Sequence, residues 1–152
     1  MNVSQRGIDL IKRYEGFISH AYLCPADRYT IGWGHIKDVK KGDVVTEAQA
    51  ENLLKQDLKL FESKLNYSIE QDHVNLNQNQ FDACISFIFN LGFSAFIFST
   101  LYKKLKAGDF DGASDEFLKW VYITKTVNGE KIKIRLKGLE TRRNAERDLF
   151  LS

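Results

Sequence analysis

Proline occurs once, at Pro25, and cysteine only twice, at Cys24 and Cys84, in a chain of 152 residues. One proline and no biased or repetitive tract exclude a Pro-rich linker and low-complexity disorder. Two cysteines are too few for a disulfide scaffold. No apolar run approaches the roughly 18 residues that a membrane span requires, which argues against stable membrane insertion. The segment Met1 to Gly7 is polar and offers no apolar signal core. The expectation is a chain without a signal peptide, made in the cytoplasm. A lone histidine such as His35, without Cys or His partners at ligand spacing, makes no metal site. No metal and no cofactor are expected.

What is present suits one packed domain. Hydrophobic residues make up 43% of the chain and aromatics 12%. Net charge is only +2, but it is unevenly spread. Between Lys119 and Arg147 nine Lys or Arg stand against three Glu, a local excess of +6. Such a segment is either a solvated basic face or a surface attracted to an anionic polymer, cell wall and nucleic acid included. Cys84 lies in the apolar run Ala83 to Phe89 and reads as a small buried hydrophobe.

Taken in order, the chain opens with a helix that Ser4 can cap, with Ile8, Leu10, Ile11 and Tyr14 on its apolar face. Glu15 falls at its C-terminal end, and Gly16 stops it. The negative end of the helix dipole lies there, a setting that favours the protonated carboxyl a general acid needs. Two short strands follow, Ala21 to Cys24 and Tyr29 to Trp33, around the turn Pro25 to Arg28. Asp43 to Val45 can add an edge. Tyr29 and Trp33 can pack the sheet or form a platform for sugar rings. Thr46 and Gln49 form a capping-box pattern, which predicts a long helix to about Asn66 with Leu53, Leu54, Leu58 and Phe61 on one face. Tyr67 to Asn79 is polar and reads as a loop. Gln80 to Gly92 is apolar on most faces and predicts a central buried helix. Two short helices are expected, Ser99 to Gly108 and Asp109 to Trp120, the second with Phe110, Ala113, Phe117 and Trp120 turned inward. Alternation over Tyr122 to Val127 and Glu130 to Leu136, joined by Asn128-Gly129, is the strongest hairpin signal in the chain.

The stretch from Glu15 to His35 carries a specific constellation. Eight residues separate Glu15 from Cys24, five separate Cys24 from Thr30, and Ile31-Gly32-Trp33-Gly34-His35 follows. This resembles the phage-type lysozymes, whose motif is Glu, eight residues, Asp or Cys, five residues, Thr, then Ile-Gly-x-Gly-His. Gln80 to Gly92 is similar to that family's core helix. Gly138 to Glu146 resembles its Gly-Leu-x-x-Arg-Arg-x-x-Glu closing helix. The resemblance covers nearly the whole chain and is loose between these segments. It implies an α+β, mainly helical fold of lysozyme-like type, with a small antiparallel β lobe and a larger helical lobe joined by a long helix. In this sequence one domain over 1–152 would comprise a sheet lobe at about 16–46, a linking helix at about 47–66, and a helical lobe at about 77–152 plus the N-terminal helix. Relatives often carry only a loop where the hairpin is expected, so the hairpin would be a departure.

The resemblance further implies a muramidase that cuts the β-1,4 bond between N-acetylmuramic acid and N-acetylglucosamine in peptidoglycan. Glu15 would be the general acid, and Thr30 would hold the attacking water. Cys24 stands where the family usually has Asp. It could act as a thiolate base, orient water with Thr30, or stand by as a strand cysteine. Because Thr30 has no other evident task, inversion with a water nucleophile is favoured. Arg142 or Arg143 would reach back to Glu15, where its positive charge favours the ionised carboxylate and opposes the helix dipole, a balance that sequence leaves open; His35 would be a supporting residue. Ile36, Phe89, Thr100 and Ser114 fall where relatives contact sugar, and each also has a packing or capping reading. The expected partner is peptidoglycan, with no nucleic acid, and the chain is expected to be a monomer. It would stay in the cytoplasm of the host cell until released to the wall through a holin. Two rival readings remain at this level: a non-catalytic wall-binding protein and a nucleic-acid binder using the basic segment.

Overall fold

The computed structural model describes all residues, 1–152. The first helix, α1 (Gln5–Glu15), buries Ile8, Leu10 and Ile11. Its N-terminus is not capped in the expected way. The Ser4 hydroxyl makes no cap and is bonded instead to Asp82, whose other oxygen accepts from the Ser4 N–H at 2.9 Å. Asp82 is fully buried on the central helix, so this exchange ties the chain entry to the core. Gly16 (φ 69) ends α1 and turns the chain into β1 (Ile18–Leu23), which begins earlier than its alternation suggests.

β1 pairs antiparallel with β2 (Tyr29–Gly32), with Ile18 opposite Gly32 and Tyr22 opposite Thr30, and the register shifts between them. The third edge is a bridge between His20 and Val44, flanked by bonds from the Ala21 N–H to the Asp43 carbonyl and from the Val45 N–H to the Ser19 carbonyl, both 2.9 Å. The Thr46–Gln49 capping box forms and launches α2 (Glu47–Gln71). This helix runs past the expected end near Asn66. Leu54, Leu58, Leu65 and Ile69 keep one buried stripe at helical spacing, and that packing overrides the polar character of Tyr67 to Gln71. The expected loop from Tyr67 to Asn79 therefore shrinks to the few residues between α2 and α3 (Gln78–Leu91), which has its own capping box from Asn77 and Gln80.

α3 is the core of the molecule. Phe81 to Ile88 are buried without interruption, and α1, α2 and α7 (Lys137–Leu151) pack around them. Each buried Phe, Ile or Leu contributes about 1.5–3 kcal/mol of transfer free energy. Phe87 meets the rings of Phe96, Phe117 and Trp120 at centroid distances of 6.1, 5.6 and 5.4 Å. Between α3 and α7 come α4 (Phe93–Ile97), which the sequence pattern did not reveal, then α5 (Thr100–Lys106) and α6 (Phe110–Glu116). The helix expected over Asp109 to Trp120 breaks at Glu116 into a 3-10 turn over Phe117–Lys119. The second sheet, β3 (Tyr122–Val127) with β4 (Glu130–Arg135), pairs in regular register from Tyr122 opposite Arg135 to Val127 opposite Glu130. No helix is long and apolar enough to cross a membrane.

Candidate active site

Glu15 is the last residue of α1, and its side chain is 23% exposed. Arg142 Nη1 donates to Glu15 Oε1 at 2.6 Å, across 127 residues of chain. That guanidinium is itself held on its remaining donors. Nε donates to Glu146 Oε1 at 3.1 Å and Nη2 to the Ser86 carbonyl at 3.1 Å. The Ser86 hydroxyl donates to the same Glu146 oxygen at 2.8 Å. Arg143 does not reach Glu15. It donates to the second Glu146 oxygen, to Asn90 Oδ1, and from Nε to the Trp120 carbonyl at 3.0 Å. Two arginines and two carboxylates thus balance in charge at the meeting of α1, α3 and α7. Glu146 and Arg143 have no exposed side chain, so each depends on the others for compensation. The rotamer of Glu15 is fixed by a charged partner that cannot move alone. The spacing of Arg142 and Arg143 to Glu146, i to i+4 and i to i+3, was visible in the sequence as the signal for this cluster.

The second part of the site is the β1–β2 turn. The Cys24 N–H donates to the Arg28 carbonyl and the Asp27 N–H to the Cys24 carbonyl, both at 2.9 Å, and Asp27 takes a left-handed φ of 56°. This closes the turn around Cys24, whose side chain is half-buried. The backbone N–H of Arg28 lowers the thiol below its ordinary pKa most strongly, followed by that of Ala26 and the Thr30 hydroxyl. Thr30 is 7% exposed. Its single hydroxyl proton serves either Cys24 or the Arg28 carbonyl, 3.3 Å away. Cys84, in contrast, is fully buried in α3, and burial pushes its thiol up. The two parts are linked by packing. Phe17 meets the Trp33 ring at a tilt with centroids 5.0 Å apart, Lys12 of α1 sits over the Trp33 ring at 4.6 Å, and Ile18 pairs with Gly32 two residues beyond Thr30.

The remaining candidate residues separate into different settings. Trp33 is 6% exposed, so it packs the sheet and offers no platform. His35 is buried, and its Nδ1 donates to the Asp57 carboxylate at 2.9 Å, which fastens the Gly-rich turn to α2. Asp57 was missed, because the pairing spans 22 residues and no local pattern marks it. Ile36 is 46% exposed, and Phe89 is half-buried edge-on to Phe61. Thr100 lines a cavity of about 390 Å³ with Trp120, Tyr122, Thr124 and Lys133. Ser114, expected among the sugar contacts, lies in α6. It is 2% exposed, and its hydroxyl donates to the Asp111 carbonyl at 2.7 Å, so it presents no surface to a ligand. Glu15 and Cys24 are both partly exposed, so the carboxyl and the thiol meet solvent at an open face.

A carboxyl group stands at the end of α1, and a thiol and a hydroxyl stand at the β1–β2 turn that follows; comparison with known proteins gives the class of the chain. The phage lysozyme family model matches residues 12–146. This chain belongs to the phage lysozyme family. An endolysin of Acyrthosiphon pisum secondary endosymbiont phage 1 is 47% identical over 100% of this chain and 99% of its own length. An endolysin of Bacillus phage B103 is 42% identical over the whole chain, which spans 55% of that relative's length. Among solved structures, the muramidase domain of SpmX from Asticaccaulis excentricus superposes with a TM-score of 0.89 at 34% identity, covering 99% of this chain and 98% of that one.

Proposed function

We propose that this chain is a peptidoglycan-lytic muramidase that hydrolyses the β-1,4 bond between N-acetylmuramic acid and N-acetylglucosamine. The observation that carries the reading is Glu15, held at the end of α1 by Arg142, whose own donors are fixed by Glu146 and Ser86. Membership of the phage lysozyme family supports the substrate class, and the likeness to a muramidase domain supports the bond.

Glu15 protonates the leaving glycosidic oxygen as the bond to the anomeric carbon breaks. A water enters from the opposite face of the sugar ring, and the configuration inverts. Thr30 accepts or donates to that water, and the Cys24 thiolate takes its proton. The hydrogen bonds that Cys24 receives from Arg28, Ala26 and Thr30 stabilise the thiolate, so a larger fraction is available as base at neutral pH. The cycle closes when the Cys24 proton and the Glu15 charge are exchanged with solvent at the open face. Arg142 orients Glu15 and does not touch the sugar. Ile36, Phe89 and Thr100 are proposed to line the path of the glycan, and His35 to steady the turn. The protein acts on the wall as a monomer after leaving the cytoplasm through a separate membrane pore.

Clearing of a peptidoglycan suspension by the wild type and by Glu15→Gln tests the reading. The amide keeps the shape and the Arg142 contact but cannot donate an acid proton. The expected loss is about 10²–10⁴ in rate with the fold retained. Clearing by Glu15→Gln at the wild-type rate would remove Glu15 as the acid, and no clearing by the wild type would favour a wall-binding protein without catalysis.

A further inference from the structure

The β3–β4 hairpin has two unlike faces. Strand alternation and the observed register put Ile123 with Ile134, Lys125 with Ile132, and Val127 with Glu130 on one face. Tyr122 with Arg135, Thr124 with Lys133, and Thr126 with Lys131 lie on the other. Tyr122, Thr124 and Lys133 line the cavity shared with Thr100, Glu116 and Trp120, so the polar face is turned toward the helical body. The aliphatic face is half-buried at its base, where Ile123 and Ile134 sit, and open toward the turn, with Val127 45% and Ile132 42% exposed. No aromatic or cation–π pair covers it. The hairpin carries Lys125, Lys131, Lys133 and Arg135 against Glu130, a net charge of +3. Arg135 is bound to Glu140 at 3.0 Å, whereas Lys125, Lys131 and Lys133 form no ion pair.

Lysines on exposed strands discourage edge-to-edge pairing, and that role explains the charges without the isoleucines. A soluble polyanion would likewise need the cations alone. A second copy of the chain would cover the isoleucines but bring two hairpins of +3 together. We infer that the hairpin is a docking element for an anionic lipid surface, entering its interface reversibly with Val127 and Ile132 near the turn while Lys125 and Lys131 reach the headgroup phosphates. Such a surface is apolar below and negative above, which matches a thin ribbon with aliphatic residues on one face and long cationic side chains at its borders. This attachment is peripheral and reversible and is separate from cleavage at Glu15, so it stands or falls independently of the lytic reading.

Cosedimentation of the full chain with vesicles tests it. Vesicles of phosphatidylglycerol with phosphatidylcholine should retain the wild type, and vesicles of phosphatidylcholine alone should not. Lys125→Gln with Lys131→Gln should weaken retention about thirtyfold. Val127→Thr with Ile132→Thr, which keeps β-branched residues in the strands, should weaken it about tenfold. Lys125→Arg with Lys131→Arg should restore it. Thermal unfolding and clearing of peptidoglycan check that each variant is folded. Equal retention of the threonine variant would reduce the effect to plain charge attraction and overturn the proposal. So would absence of retention of the wild type, or a concentration-dependent dimer that the threonine variant abolishes.

Discussion

The molecule contains two two-stranded sheets of similar size, and they are built on opposite principles. β3–β4 is regular: six residue pairs in unbroken register, closed by Asn128 (φ 51) and Gly129 (φ 80), the positive-φ pair that a type I′ turn demands. β1–β2 has a register shift between Ile18 and Tyr22, a turn held by Pro25 to Arg28, and a left-handed Asp27. The irregular sheet is the one that carries Cys24 and Thr30. Its turn brings the sulfur and the hydroxyl onto one short segment, with the Thr30 hydroxyl bonded to the Arg28 carbonyl. Such a sheet is not stable on its own local terms, and the body fixes it: Lys12 over Trp33, His35 on Asp57, and the close pass of Gly32 over Ala50. The regular sheet receives no comparable support and carries none of the three residues assigned to the chemistry. Site geometry here is held by tertiary contacts, whereas regularity marks the segment that local sequence alone can form.

Placing the same substitution in the two sheets should separate them. Gly32 has φ +64, and a Cβ there would stand 2.9 Å from the Ala50 Cβ. Gly32→Val should therefore cost about 2–4 kcal/mol in denaturant unfolding and abolish most of the activity through displacement of Thr30. Cys24→Ala should leave the unfolding midpoint in place and lower lytic turnover about ten- to a hundredfold, with Cys24→Asp restoring it. In the wild type, alkylation of Cys24 should be half-maximal below the ordinary thiol value of about 8.5, because the folded thiol is lowered, while buried Cys84 stays unmodified. Full activity in Cys24→Ala would leave Glu15 and Thr30 to carry the reaction. Gly129→Val meets no atom within 4 Å, and only the backbone penalty of about 1–2 kcal/mol remains, confined to the hairpin, with clearing of peptidoglycan unchanged.

The smallest effect concerns the clamp on the irregular sheet. A hydrogen bond from Lys12, the largest cause, holds the Glu51 carboxyl down to about 2 from 4.5. A folded value below the unfolded one means stability that is present above about 4.5 and is lost as pH falls toward about 2. Both side chains are about one-fifth exposed, which limits the contribution to about 1 kcal/mol. Lys12→Met should lower stability by that amount at neutral pH. In acid titrations of unfolding, the gap between wild type and variant should close through this window.

What the sequence disclosed follows the same division. The Thr46–Gln49 capping box, the Gly16 stop and the Asn128-Gly129 turn are local chemistry, and each forms where the pattern places it. The length of α2 was underestimated because Tyr67 to Gln71 is polar, although Leu65 and Ile69 continue the buried stripe. Ser4 was assigned to a cap because its competing partner, Asp82, lies 78 residues away. Around the site, the approach of Arg142 or Arg143 to Glu15 was expected from family resemblance, and Arg142 is the one that makes it. The buried Glu146 that holds both arginines, and the Asp57 that holds His35, require knowledge of which helices meet. Ser114 looked available as a polar residue and is instead sealed by its own helix.

Mass analysis of peptidoglycan digested by the wild type, beside a Glu15→Gln digest, tests the central claim most directly. The account predicts disaccharide-peptide fragments with a reducing N-acetylmuramic acid end from the wild type and intact glycan from the variant. Reducing N-acetylglucosamine ends, anhydro-muramic ends or severed peptides in the wild-type digest would contradict it.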